Sequence, residues 1–250
     1  MKPWYETAFR SDYLDRYARR DQGEADADID HVLRLIDPDP DQPLLDLACG
    51  AGRHLAALWT RGFRRLVGLD LSAELLDAAR DRLAELGAQA VELLCADMRD
   101  IRTTHRFGTA LSMFTSFGYF ETDQENRRVL SGVGRVLVPG GVLLIDTLNR
   151  ERTIARLVPS ETQRENGVEM VIARSISRDG ARVLKTATCC TPDGTRRTIR
   201  ESVRMFTAEE LREMLTGAGF ATVRFFGSLA GAPYAPDAPR MIAVARKASP

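Results

Sequence analysis

Two patterns of apolar residues take turns along the first 150 positions. Over residues 11–36, Tyr13, Leu14 and Tyr17, then Ile29, Val32, Leu33 and Ile36, recur at three- and four-residue steps, which predicts helix. Asp37-Pro38-Asp39-Pro40-Asp41-Gln42-Pro43 ends that region, because proline disfavours helix at itself and at the residue before it. Short apolar runs then read as buried strands: Leu44–Cys49, Arg65–Asp70, Val91–Cys95, Thr109–Phe114 and Val142–Thr147. Helical segments lie between most of them. One runs from Arg53 to about Arg61 and stops at Gly62; Ala73–Leu86 has Ser72 as its N-cap and Gly87 past its end; a third spans about Glu125–Leu137. Pro139-Gly140-Gly141 predicts a turn into the fifth strand. Strand and helix in this alternation mean βαβ units, and hence an α/β chain with a parallel sheet covered by helices on both faces.

The pattern changes after Asn149. Val168–Ser177, Ala181–Thr191 and Thr195–Met205 are rich in β-branched residues and are separated by Arg178-Asp179-Gly180 and Pro192-Asp193-Gly194, both turn-forming. This predicts an inserted antiparallel β-meander. Thr207-Ala208-Glu209-Glu210 reads as a capping box opening a helix that runs to Gly217–Gly219, and Ala221–Phe226 and Arg240–Arg246 supply two last strands. The domain plan is therefore a helical cap over 1–43, an α/β core over 44–150, the insertion over 151–206 and a return to the core sheet over 207–250. The insertion either covers the mouth of the cleft or builds a homodimer interface.

A chain of 250 residues, 44% hydrophobic, suffices for one α/β domain carrying an insertion. Lysine plus arginine number 35, as do aspartate plus glutamate, and this balance argues against a polyanionic partner such as nucleic acid. No run approaches the roughly 18 apolar residues that span a bilayer, and the N-terminus lacks a signal-peptide stretch, so no membrane partner and a cytoplasmic location are expected. Cys49, Cys95, Cys189 and Cys190 read as small buried hydrophobes, and Arg196, Arg197, Arg200 and Arg204 as a solvated face or, alternatively, as groups that meet an acidic substrate. No H-E-x-x-H, C-x-x-C or paired-histidine ligand set is present, so no metal is expected.

The residues that carry chemistry begin with Asp46-Leu47-Ala48-Cys49-Gly50-Ala51-Gly52-Arg53-His54, at the first strand-to-helix turn. Open parallel sheets bind ligands at such crevices, and glycine there lets a ligand approach the backbone. A dinucleotide fingerprint G-x-G-x-x-G would need a third glycine where Leu55 stands. Asp46 lies inside the motif, Asp70 ends the second strand and Asp97 ends the third. Carboxylates at successive strand ends suit an adenosine joined to a cation, and suit a pyrophosphate poorly.

This run resembles motif I of the class I S-adenosylmethionine (SAM) dependent methyltransferases. Asp70-Leu71-Ser72, Ala96-Asp97-Met98 and Pro139-Gly140-Gly141 resemble the family's later motifs in order and spacing. The likeness is tight over residues 44–150 and looser over 207–246. It implies a Rossmann-like, seven-stranded, mostly parallel sheet, SAM as cofactor, and a set of roles. Asp46, Ala48, Cys49, Gly50, Ala51 and Gly52 would surround the cofactor, and Arg53 would face its carboxylate. Asp70 would take the ribose hydroxyls, Leu71 and Met98 would sandwich the adenine, and Asp97 would bind the adenine amino group. Tyr17, Met113 and Phe114 complete the expected cofactor set, whereas His54 reads as structural.

Ser112-Met113-Phe114-Thr115-Ser116-Phe117-Gly118-Tyr119-Phe120, with the N-terminal aromatics and the late insertion, is similar to bacterial small-molecule N-methyltransferases of amino sugars and antibiotic intermediates. That likeness implies a small-molecule acceptor, with Tyr5, Tyr13, Phe117 and Tyr119 on the reacting side. Methyl transfer from a sulfonium is an in-line displacement in which holding the nucleophile does most of the work. His31, His54 and His105 are the only histidines and none is placed as an obvious base, which favours an amine over an oxygen nucleophile. An O- or C-methyltransferase, and a methyltransferase fold reused for cyclisation or rearrangement, remain open alternatives.

Overall fold

The computed structural model describes residues 3–8, 22–165, 168–190 and 196–249. Among these, α1 (Tyr5–Ala8) and α2 (Gln22–Ile36) precede the core. The core then runs β1 (Leu44–Leu47), α3 (Arg53–Thr60), β2 (Leu66–Asp70), α4 (Ala73–Glu85), β3 (Glu92–Cys95), β4 (Phe107–Ser112), α5 (Asp123–Val136) and β5 (Leu137–Thr147). After α6 (Arg150–Ala155) come β6 (Ser160–Glu165), β7 (Val168–Ile176), β8 (Arg182–Cys190) and β9 (Arg196–Arg204). The chain ends with α7 (Ala208–Gly217), β10 (Phe220–Phe226) and β11 (Met241–Lys247). Tyr13 and Tyr17 lie outside the described residues.

The main sheet has seven strands in the order β3-β2-β1-β4-β5-β11-β10. β1 pairs in parallel with β2 (Leu44 opposite Leu66) and with β4 (Leu44 opposite Thr109), while β11 runs antiparallel to β5 and β10. Alternation along β1 explains the two layers. Leu45 and Leu47 join a core with Val129, Leu130 and Val133 of α5 and Leu211 and Leu215 of α7. Leu44 faces the other side, with Ile29 and Val32 of α2, Leu55 and Leu58 of α3 and Leu76 of α4. The order steps from β1 to β4 on one side and to β2 on the other, so the loops after β1 and β4 part there and open a crevice. The expected mostly parallel sheet with helices on both faces is what forms. No helix among the described residues is long and apolar enough to cross a membrane.

Local capping follows the sequence closely. Ser72 Oγ accepts the Leu75 N–H, and Thr207 with Glu210 closes the expected capping box. Thr122 and Glu125 form a second box, which moves the start of α5 to Asp123.

Several expectations need correcting. The insertion is a four-stranded sheet, β6-β7-β8-β9, because Ser160–Glu165 adds to the edge of the meander. Pro139-Gly140-Gly141 lies within β5 instead of turning before it. The fourth strand stops at Ser112, and Phe114 and Thr115 adopt φ of 58° and 63°. Cys95 is exposed. Arg204 is buried between Asp123 and Glu210, 3.1 Å from each, because β9 turns inward onto α5 and α7 at that point.

Candidate active site

The loop after β1 is built on left-handed backbone: Ala48, Gly50 and Gly52 have φ of 56°, 54° and 72°. The coil brings the Cys49 N–H to the Leu69 carbonyl (3.1 Å) and the Gly50 N–H to Asp70 Oδ2 (2.8 Å). Asp70 Oδ1 accepts the Ser72 N–H (2.9 Å), so one carboxylate ties the β1 loop to the start of α4. Nothing lies within 4 Å of where a Gly50 Cβ would stand. Gly52 packs instead against Ala79 of α4.

These elements enclose a cavity of about 380 Å³, within the range of small-molecule sites. Of the anticipated cofactor set, it is lined by Ala48, Cys49, Gly50, Ala51, Arg53, Asp70, Leu71, Asp97, Met98, Met113 and Phe114. Tyr5 and Tyr119 line it as well. Asp46 is 1% exposed and sits beneath the loop, outside the lining, and Gly52 supports the loop from behind. Phe117 does not reach the cavity: it is 1% exposed and packs on Phe206 with ring centroids 5.3 Å apart. The Gly118 turn after it sends that ring inward, so an apolar position read as site-facing belongs to the core.

Electrostatics distinguish the carboxylates. Burial, with the nearby Asp70, pushes Asp46 up to about 7, and its Oδ2 has no hydrogen-bond partner. Burial also raises Asp70, against the pull of its backbone donors. Burial would raise Asp97 too, but three side-chain hydrogen bonds from Arg99 hold it below the usual range. Arg99 continues to Glu125 and lies over the Phe120 ring at 4.4 Å. Arg53 is 3.1 Å from Glu24 and 4.9 Å from the Phe114 ring centre. His54 is buried in the first turn of α3, its Nε2 making no hydrogen bond and lying 4.0 Å from Asp28 Oδ2, and burial presses it down to about 3.

Sequence reasoning missed part of this lining. Leu75, Ala78 and Arg82 share one face of α4 at three- and four-residue spacing. Arg82 Nε donates to the Ala51 carbonyl (3.0 Å) and Nη1 to Gln22 (2.9 Å). Ser116 and Phe120 were within reach, since both lie in the aromatic segment after β4.

A second cavity, about 610 Å³, adjoins the first and shares Phe114 and Tyr119 with it. Its walls come from Arg152 and Arg156 near α6, from Arg174, Lys185 and Glu201 of the small sheet, and from Glu161 and Arg240.

A methyltransferase-domain family matches residues 44–141, the stretch that supplies most of the first cavity's lining. A dTDP-3-amino-3,6-dideoxy-α-D-glucopyranose N,N-dimethyltransferase of Streptomyces fradiae is 30% identical over 200 residues, covering 78% of this chain and 76% of that one. The chain belongs to the SAM-dependent methyltransferases. A dTDP-3-amino-3,4,6-trideoxy-α-D-glucopyranose N,N-dimethyltransferase of Streptomyces venezuelae is 35% identical over 127 residues, and there the match spans 51% of each chain. SAM-bound CalS10, an amino pentose methyltransferase from Micromonospora echinaspora involved in calicheamicin biosynthesis, superposes with a TM-score of 0.68 at 26% identity, covering 94% of this chain and 96% of the other.

The first cavity fits this family's cofactor. Gly50 offers open backbone at the cavity wall, with nothing within 4 Å of its Cβ position, Leu71 and Met98 offer apolar walls, and Asp70 offers acceptor oxygens at a strand end.

Proposed function

We propose that the protein transfers a methyl group from SAM to the amine nitrogen of a small acceptor of the amino-sugar kind, seated in the second cavity. The observation that carries this is the pair of adjoining cavities meeting at Phe114 and Tyr119. In this reading Asp70 holds the ribose hydroxyls, Leu71 and Met98 the adenine, and Asp97 its amino group. Tyr5 and Tyr119 close the reacting end, and the small sheet caps the acceptor. SAM supplies a methyl group already activated on a sulfonium, so the chain's task is alignment and exclusion of water.

The second cavity favours nitrogen as nucleophile. Glu201 is paired with Lys185 (3.1 Å) and Glu161 with Arg174 (2.7 Å), which leaves neither carboxylate free to act as a base towards a hydroxyl. Arg152 and Arg156 add positive charge, which lowers the pKa of a nearby amine and keeps it in its neutral, nucleophilic form. The S. fradiae and S. venezuelae relatives are named for N,N-dimethylation of dTDP-amino sugars, and this supports the same acceptor class here.

The test uses methyl-labelled SAM with dTDP-3-amino-3,6-dideoxy-α-D-glucopyranose and with its 3-hydroxy analogue. Label is expected on nitrogen in the first case and absent in the second. Tyr119→Phe should lower kcat by about tenfold, the loss of one positioned hydrogen bond, with SAM affinity kept within about twofold. Labelling of the hydroxy analogue, or a rearranged product without label, would refute the proposal.

A further inference from the structure

The loop after β4 forms the wall between the two cavities, and its backbone is unusual. Phe114 and Thr115 are consecutive non-glycine residues with φ of 58° and 63°. A β-branched residue in the left-handed region is a genuine outlier, and such a step persists only where its surroundings over-determine it.

Three hydrogen bonds converge on this step, and a fourth ties together the two residues that make them. The Phe114 N–H donates to Asp146 Oδ2 (3.0 Å) and the Thr115 N–H to the Asp146 carbonyl (2.9 Å). Arg240 Nε donates to Asp146 Oδ1 (2.7 Å), and Arg240 Nη2 donates to Thr115 Oγ1 (2.7 Å). Asp146, near the end of β5, is 4% exposed. Arg240, just before β11, is fixed by its own N–H to the Gly227 carbonyl (3.0 Å). The segment leading to it is pinned by buried Asn149, whose Nδ2 donates to the carbonyls of Ala235 and Ala238 at 2.9 Å. Three chain segments far apart in sequence thus meet on one two-residue step.

We propose that Asp146 and Arg240 are positioning residues for the reaction: they clamp the Phe114–Thr115 step so that Phe114 keeps its place as the wall shared by the two cavities. Thr115 and Arg240 line only the second cavity, whereas Phe114 lines both. Breaking the clamp on the second side therefore disturbs the first side only through the wall. The inference rests on reading the first cavity as the cofactor cleft, and deepens that reading.

S-adenosylhomocysteine is titrated by calorimetry into the full chain and into Thr115→Ala, Thr115→Ser and Arg240→Gln. Alanine at position 115 removes the hydroxyl and also the β-branch, so any weakening cannot come from added strain. Thr115→Ala and Arg240→Gln are expected to bind about three- to tenfold more weakly, the scale of one net hydrogen bond expressed through the population of the competent wall. Thr115→Ser keeps the acceptor oxygen and should restore the parent affinity. Parent-like affinity in Thr115→Ala or in Arg240→Gln overturns the proposal, even with a lowered Tm, since a purely structural clamp would produce that result. Equal weakening in Thr115→Ser and Thr115→Ala overturns it too. An unsubstituted chain that fails to bind S-adenosylhomocysteine sinks the reading of the cleft itself, a different failure from the other two.

Discussion

Substituting alanine for Gly50 and for Gly52 should separate the two jobs of the loop after β1. Both residues have left-handed φ, so a Cβ costs each about 1–2 kcal/mol in backbone strain. Their surroundings differ. A Cβ on Gly50 meets nothing within 4 Å, whereas on Gly52 it would lie 3.0 Å from the Ala79 Cβ and 3.5 Å from the Ala79 Cα. Ala79 is fully buried in α4 and has no rotamer with which to yield, so the helix itself must move. Overpacking of this kind adds about 1–3 kcal/mol. Gly52→Ala should therefore cost about 2–5 kcal/mol against about 1–2 for Gly50→Ala. For a chain of this size each kcal/mol is roughly 2–4 °C in Tm, so drops of roughly 10 °C and roughly 4 °C are expected in thermal unfolding. Cofactor affinity should rank the other way relative to stability. Gly50→Ala, nearly intact in fold, projects a methyl group at the cavity and should weaken S-adenosylhomocysteine binding by about tenfold. The reasoning fails if Gly52→Ala proves no less stable than Gly50→Ala, or if Gly50→Ala binds as the parent does.

Two further outcomes follow from buried charge. Asp46 is raised to about 7 from 3.8, so native protein holds a proton that the unfolded chain has lost, and this group's stability contribution declines as pH rises from about 4 to 7. His54, pressed down to about 3 from 6.5, acts oppositely: its contribution declines as pH falls from about 6.5 towards 3. The two slopes offset each other in the parent between about pH 4 and 6.5. Urea unfolding should show Asp46→Asn gaining stability with pH across that window and His54→Gln losing it, with slopes up to about 1.4 kcal/mol per pH unit; slopes of the same sign would contradict the assignment. Arg204→Ala should destabilise by roughly 2 kcal/mol in the same assay, since it strands Asp123 and Glu210, whose partial exposure limits the cost; a change under about 0.5 kcal/mol would show the pair to be idle.

Much of the site was legible because its residues sit at the ends of strongly patterned strands. Runs such as Leu44–Leu47 and Leu66–Asp70, buried at every position, place Gly50 and Asp70 at the edge of a parallel sheet almost by themselves. Arg99 was harder to see. Its sequence neighbour Asp97 was in view, but its second partner, Glu125, is 26 positions away on α5, and no local pattern pairs them. Leu75, Ala78 and Arg82 carried a helical spacing that could have been read as a second wall facing the loop. The acceptor cavity had no local signature, since it collects Arg152, Lys185, Glu201 and Arg240 from separate elements.

Periodicity, caps and glycine placement determined the α/β alternation, the sheet-end acids and the family likeness, because each depends on neighbours within a few turns or one pleat. Tertiary structure decided the rest. Ser160–Glu165 has no apolar alternation and becomes β6 only because β7 offers it backbone partners. Phe114 reads as the last residue of a strand, yet it and Thr115 are bent into left-handed backbone by Asp146, a residue 32 positions from Phe114. Phe117 and Phe114 are alike on paper, yet one is core and the other is wall. Local energetics select the conformation of a segment, but which face a side chain meets is settled only when distant segments compete for the same space and the same hydrogen bonds.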